Sequence, residues 1–331
     1  MSNVPIEPAH TAHPAPHLDA TAAARLAQLG YAQNPAPWLH EEIGRRLQDR
    51  IDIVQLPAVQ AWANWHYPQG GMQWQQDLAA RWAPAPCYAP TLVSAEESTI
   101  NSEAAQEALT PKNSKNIPKN SPKPWWQAWR GKLGAATQTA NAAPTIHPFS
   151  PAPQSVQVLV ANMLLHRSSQ PQPLLQAWQQ SLATGGVLFF SALGPDTLRP
   201  LQQLYARLGW PPALQNLVDM HDWGDALVQT GFATPVMEVE HLHLSYSSPQ
   251  ALLSELRSWG RNLHPRRFAA LRGRGWLAQL HAELEALRSA DGRIYLPIEV
   301  IYGHAFKPAP KASAAGENII SLDQLRKNLR A

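Results

Sequence analysis

Cysteine is almost absent: Cys87 is the only one in 331 residues. That excludes a disulfide within the chain and any cysteine-based metal site. Charge is scarce too, at 15% of residues against 44% apolar, a globular composition that is poor in charge for a soluble protein. Glycine (18) is outnumbered by proline (31), which suggests extended connectors rather than flexible glycine linkers. No apolar run approaches the roughly 18 residues that a membrane-spanning helix needs. The first residues, MSNVPIEPAHTAHPAPHLDA, lack the basic start and the apolar stretch of a secretory signal. With the lone cysteine, this places the expected location in the cytoplasm. The length allows one large domain or two ordinary ones, with enough chain for a sizeable core.

The formal charge of +3 is a poor average. Between Pro111 and Lys132 stand Lys112, Lys115, Lys119, Lys123, Arg130 and Lys132, with no acid among them. Outside that stretch the basic residues number 21 against 24 acidic ones, so the basicity is local. The same region holds Trp125, Trp126 and Trp129. Cations interleaved with aromatics can meet nucleic acid or an anionic membrane surface. The plainer reading is a solvated loop that folds back on the domain, and without a DNA- or RNA-binding motif elsewhere it is preferred.

Along the chain, residues 1–36 read as a tail rich in Pro and His near its start. PWLHEEIGRRLQDRIDIVQL then spaces Leu39, Ile43, Leu47 and Ile51 four apart, with acids early and arginines later, as in an amphipathic helix. MQWQQDLAARWA predicts a helix and PCYAPTLV a possible strand. From about residue 94 to about residue 143 the chain turns rich in Ser, Asn, Lys, Pro and Ala, and reads as a disordered insertion. SVQVLVAN and VLFFSALG are apolar runs of strand length, suited to a sheet covered on both faces. Between them PQPLLQAWQQSLA predicts a helix capped by a left-handed Gly185. A helix starting with Pro195 and Asp196 follows. Strand, helix, strand, helix is a βαβα unit, which makes the fold α/β with a parallel sheet. MHDWGDALVQTGF predicts another helix, and PVMEVEHLHLSY and LPIEVIYGHAF two more strands. A helical pattern at about 248–290 separates those strands, where it would form a cap over the sheet's ligand-binding edge. The domain is expected to run from 37 to 306, with a tail at 307–331.

The blocks DMHDWGDALVQTGFATPVMEVEHLHLSY, LLSELRSWGRN, GPDTL and LPIEVIYGHAF resemble the biotin-synthesis O-methyltransferases that methylate malonyl-acyl carrier protein. LHEEIGRRLQDRIDIVQL resembles that family's leading helix. A related group, the mitochondrial complex I assembly factors, shares several blocks and contains an arginine hydroxylase, so the scaffold alone does not fix the chemistry. The resemblance implies a Rossmann-like class I methyltransferase fold: a mostly parallel seven-stranded sheet whose last strand is antiparallel, with a helical insertion before it. It implies S-adenosylmethionine as cofactor and an acyl carrier protein carrying malonyl as partner, with no DNA or RNA. In such folds a glycine-rich turn after strand one approaches the methionine moiety, and an acid ending strand two holds the ribose. Here the turn is VQAWANWHYPQGG, where Gly70 and Gly71 match its end and bulky residues stand in place of its middle glycines. Glu96 and Glu97 lie beyond the place of the strand-two acid, and Asn162 matches the end of strand four.

Methylating a carboxylate needs no general base, because the acceptor is already ionised at neutral pH; no catalytic residue is assigned. Alignment and exclusion of water do the work. Arginine is the natural carboxylate clamp. Arg266, Arg267, Arg272 and Arg274 in the cap are the candidates for the malonyl group or the carrier's phosphate, the alternative being a solvated basic loop. His241 and His243 share a strand face without a third ligand nearby in sequence, so no metal is expected. His166 lies just past strand four and reads as a loop residue. Trp62 and Trp65 either pack inward, filling the cofactor's volume, or line an altered pocket. The alternative to a methyltransferase is a non-catalytic relative, degenerate at the cofactor turn, that binds an acyl carrier or another protein.

Overall fold

The computed structural model describes residues 18–30, 36–91 and 145–310. The basic tryptophan cluster, Glu96 and Glu97 lie outside the described residues, as does nearly all of the predicted insertion. Helix α1 spans Ala20–Gly30 and α2 spans Trp38–Ile53. Strand β1 (Trp62–Asn64), the short helix α3 (Tyr67–Gly70), α4 (Met72–Arg81) and β2 (Cys87–Tyr88) come next. After the gap lie β3 (Ile146–His147), β4 (Val156–Ala161), α5 (Pro171–Ser181), β5 (Leu182–Leu193) and α6 (Arg199–Arg207). The chain closes with α7 (Met220–Thr230), β6 (Ala233–Tyr246), α8 (Pro249–Trp259), α9 (Arg274–Glu285) and β7 (Ile294–Phe306).

The sheet runs β3-β2-β1-β4-β5-β7-β6. β7 is antiparallel to both of its neighbours, and the pairs from β3 to β5 are parallel. This is the strand arrangement that the resemblance implies, and the helical cap, α8 and α9, sits between β6 and β7 as expected. No helix among the described residues is long and apolar enough to cross a membrane.

Strand alternation divides the core into two layers. Trp62, Val158, Val160 and Phe189 face the layer that holds the α2 stripe. Ala63, Leu159, Leu188 and Phe190 face the layer with Trp178 of α5 and Trp223 of α7. Leu39, Ile43, Leu47 and Ile51 are all buried, and each contributes about 1.5 to 3 kcal/mol by leaving water. The two tryptophans of the β1 turn pack inward and go separate ways. Trp62 meets Trp82 edge-on at 4.8 Å, and Trp65 meets Trp178 at 6.4 Å in the opposite layer.

Three local expectations need correction. The tail read as reaching residue 36 contains α1, whose alanines favour helix and whose Asp19 accepts a hydrogen bond from Ala22 N at 3.0 Å. Gly185 does adopt a positive φ of 76°, but it lies within β5 rather than capping α5. Its N–H donates to Lys307 O at 2.8 Å and Lys307 N donates to Gly186 O at 2.9 Å, so the glycines pair with the chain leaving β7. Helix α6 starts at Arg199 rather than at Pro195, because the preceding turn is tied to β7: Asp196 N donates to Glu299 Oε2 at 2.5 Å, and Thr197 Oγ1 donates to Glu299 O at 3.1 Å.

Candidate functional site

The carboxyl ends of β1, β2 and β4 converge where α/β sheets of this kind hold ligands. His66 follows β1 in the left-handed region, φ 67°, and its N–H donates to Pro90 O at 2.8 Å. Gly71 has φ 131°, and a Cβ there would lie 2.8 Å from Glu41 Oε2. Glu41 reaches from α2 to the start of α4: its Oε1 accepts from Met72 N at 2.7 Å and Gln73 N at 3.2 Å, and its Oε2 from Trp74 N at 3.2 Å. A carboxylate thus already occupies the positive end of the helix that follows the turn.

Asn162 closes the other side. Its Nδ2 donates to His40 O at 2.7 Å and to Gly70 O, and its Oδ1 accepts from Ser191 Oγ at 2.5 Å. A Cβ on Gly70 would stand 3.1 Å from Asn162 O, so the turn rests directly on the end of β4. Among the described residues no acid follows β2, where Ala89, Pro90 and Thr91 succeed Tyr88. The only orphaned acceptor at the turn is Asn64 Oδ1, buried at the end of β1. As they stand, these groups do not fit S-adenosylmethionine in the manner the resemblance implies. The helix terminus is filled, Asn162 is fully engaged, and a ribose acid is missing from the described chain.

A second group lies beside this turn. His40 on α2, His66 after β1, and His166 and Arg167 in the 3₁₀ turn after β4 (Leu165–Arg167) are all buried. His40 donates through Nδ1 to Gln69 O at 2.6 Å. His166 Nδ1 accepts from Leu193 N at 3.2 Å, which leaves its proton on Nε2. Burial, with the Arg167 charge second, holds His40 down to about 4 and His66 and His166 well below the usual histidine value. The three imidazoles are therefore neutral at pH 7. Burial also lowers Arg167 to about 10, so its guanidinium remains charged. It makes no ion pair among the described residues, and its buried Nη1 has no hydrogen-bond partner.

His166 and Arg167 line a cavity of about 310 Å³ together with Arg257 and Arg261. Leu193, Leu198, Leu201, Leu253 and Leu256 give it apolar walls, and Trp259 and Trp276 come from the cap. Sequence reasoning treated His166 as a loop residue and did not single out Arg167. The adjacent pair His-Arg after an apolar strand was the available signal.

The four cap arginines are spread out. Arg266 and Arg274 are exposed. Arg267 pairs with Asp19 at 2.7 Å, tying the cap to α1, and Arg272 stacks over Phe268 and Trp276 at 4.2 and 4.3 Å. Arg267 and Arg272 line a neighbouring cavity, while Arg257 and Arg261 line the one that holds Arg167. His241 does gain partners that its sequence neighbourhood lacks: Asp196, His241 and Glu299 place one ligand atom each within 4.8 Å of one another. Their groups already serve other contacts, since Asp196 Oδ1 pairs with Arg199 at 2.6 Å and Glu299 Oε2 accepts from Asp196 N. No metal is assigned to them.

No family model matches the chain. Curated proteins do. The malonyl-[acyl-carrier protein] O-methyltransferase of Gallionella capsiferriformans is 35% identical over 197 residues, 59% of this chain and 66% of that one. The protein of the same name from Laribacter hongkongensis is 37% identical over 158 residues, 47% of this chain and 53% of that one. Malonyl-[acyl-carrier protein] O-methyltransferase 1 of Coxiella burnetii is 35% identical over 185 residues, 55% and 64% of the two chains. The chain thus spans from about half to just under two thirds of the length of these relatives. Among solved structures, the YcgJ protein of a Bacillus species matches with a TM-score of 0.44 at 11% identity, covering 80% of this chain and 99% of that one; the sheet order, not this match, carries the fold. By sequence the chain is a relative of the malonyl-[acyl-carrier protein] O-methyltransferases, built on a sheet with the class I methyltransferase strand order.

Proposed function

We propose that the chain is an S-adenosylmethionine-dependent O-methyltransferase acting on the malonyl carboxylate of an acyl carrier protein, in the cytoplasm, at the start of pimeloyl assembly for biotin. The observation that carries this reading is the 35% identity over 197 residues to a protein of that name. The chemistry suits the residues present, because an ionised acceptor needs alignment and exclusion of water rather than a base. On this reading the exposed Arg266 and Arg274 of the cap attract an acidic carrier or its phosphate by long-range steering. On this reading the cofactor enters only if Glu41 leaves the N–H groups of α4.

A second reading is favoured by that same contact. A chain whose helix terminus is permanently filled by Glu41 is a non-catalytic binder of the acyl carrier. Calorimetric titration of the full chain with S-adenosylhomocysteine separates the two. Saturable binding at micromolar to millimolar ligand is the expected result; absence of heat through the millimolar range overturns the enzyme reading and leaves the binder.

A further inference from the structure

We propose that the loop between α8 and α9 is a docking tip for an anionic membrane surface. Leu271 and Phe268 enter the headgroup region, and the arginines on either side meet the lipid phosphates. This role is separate from methyl transfer and does not depend on it.

The tip reads Arg266-Arg267-Phe268-Ala269-Ala270-Leu271-Arg272-Gly273-Arg274. Its four central residues are apolar, consecutive and all exposed, Leu271 at 99% and Phe268 at 45%. A run of that kind leaves apolar area in water unless something covers it. The run is not the slack of an unsupported loop. On one side Arg267 pairs with Asp19 at 2.7 Å, and Arg266 N donates to Nδ1 of the buried His264 at 2.9 Å. On the other, the Arg272 guanidinium lies 4.2 Å from the centre of the Phe268 ring and 4.3 Å from that of Trp276 on α9. Both flanks are braced, and the residues between them are held out. A Cβ built on Gly273 would meet nothing within 4 Å, so the space beside the tip is open.

Charge decides the partner. Between Glu255 and Glu283 the chain has no acid, and it carries Arg257, Arg261, Arg266, Arg267, Arg272 and Arg274. Of these, Arg267 alone has an ion pair among the described residues. The surface that meets the tip must be anionic and must also accept a protruding leucine. Protein interfaces draw their binding energy chiefly from Trp, Tyr and Arg seated in pockets, with leucine under-represented. An anionic bilayer answers both demands. Its interface takes up apolar side chains to a depth of about 5 to 10 Å, while its phosphates attract nearby arginines. The long arginine stems can lie along the apolar boundary with their charged heads in the phosphate layer.

The test is sedimentation of the full chain with vesicles of phosphatidylcholine, alone or mixed equally with phosphatidylglycerol. Wild type is expected to partition onto the mixed vesicles and not onto the neutral ones, and to come off as salt screens the arginines. The lysines between Pro111 and Lys132 can attract anionic lipid as well, so the variant at the tip makes the assignment. Leu271→Asp should lower the partition coefficient about tenfold or more, since it removes the apolar insertion and adds a repelled charge. Leu271→Trp should keep or raise it. Because Leu271 is exposed, the thermal melt of Leu271→Asp should match wild type and report an intact fold. Wild type that binds neither vesicle or both equally, or Leu271→Asp that binds as well as wild type, overturns the proposal. Weakened binding of Leu271→Asp to a purified acidic acyl carrier protein, with vesicle binding unchanged, also overturns it and assigns the tip to a protein.

Discussion

Acidification from pH 7 to pH 5 should destabilise this protein well before its carboxylates titrate. His40, His66 and His166 are buried and neutral, with their values depressed by desolvation first and by the Arg167 charge second. Unfolded, each takes up a proton as the pH falls through about 6.5. Folded, His40 takes one only near 4, and the other two only well below the usual histidine value. The unfolded state thus binds more protons across this window, and stability falls as the pH falls. The slope approaches about 1.4 kcal/mol per pH unit for each histidine, or about 2 kcal/mol each between pH 7 and pH 5. Three together approach about 5 kcal/mol, a large share of a typical folding free energy of about 5 to 15 kcal/mol. His304, lowered by partial burial, adds to the same window. The assay is urea unfolding followed by tryptophan fluorescence at pH 7, 6 and 5, with His166→Gln as the variant that should flatten the slope by about one histidine's worth. A midpoint that stays constant or rises between pH 7 and pH 5 would refute the neutral-histidine cluster.

Two further predictions concern single residues. Arg167→Met should raise stability by on the order of 1 to 3 kcal/mol, because it removes an unpaired buried charge, read as a higher urea midpoint at pH 7. A lower midpoint would show that Arg167 has an internal partner. Gly71→Ala should cost about 1 to 3 kcal/mol, since its φ of 131° suits glycine and the new Cβ would meet Glu41 Oε2; a thermal melt equal to wild type would contradict this geometry.

The fold could be read from the sequence where periodicity is local. The four-residue stripe of α2 and the apolar runs of β4 and β5 each state their burial within a dozen residues. The candidate site could not be read that way. His40, His66 and His166 stand on three segments far apart in sequence, and only the crossover connections of a parallel sheet bring them together. His241 shows the same effect, since Asp196 and Glu299 reach it from other elements. Of the cap arginines, Arg266, Arg267 and Arg272 lie in the loop between α8 and α9 and Arg274 opens α9, and the partners of Arg267 and Arg272 are not set by the local pattern. Asp19 caps a helix that the Pro- and His-rich start of the leading segment concealed, and Phe268 and Trp276 draw Arg272 by stacking.

Asn162 joins α2, the β1 turn and Ser191 of β5 through three hydrogen bonds at one amide. Substitutions at that junction are therefore expected to be energetically coupled. A change at His40, Gly70 or Ser191 alters the worth of the other two, because each competes for the same side chain. The ends of β1 and β2 are joined through a different amide, Gln75 of α4, whose Oε1 accepts from Asn64 Nδ2 at 2.7 Å and whose Nε2 donates to Cys87 Sγ at 3.4 Å. A change at Asn64 or Cys87 is therefore coupled through Gln75, and one at the β4 end through Asn162, so the two sides of the turn answer to separate side chains.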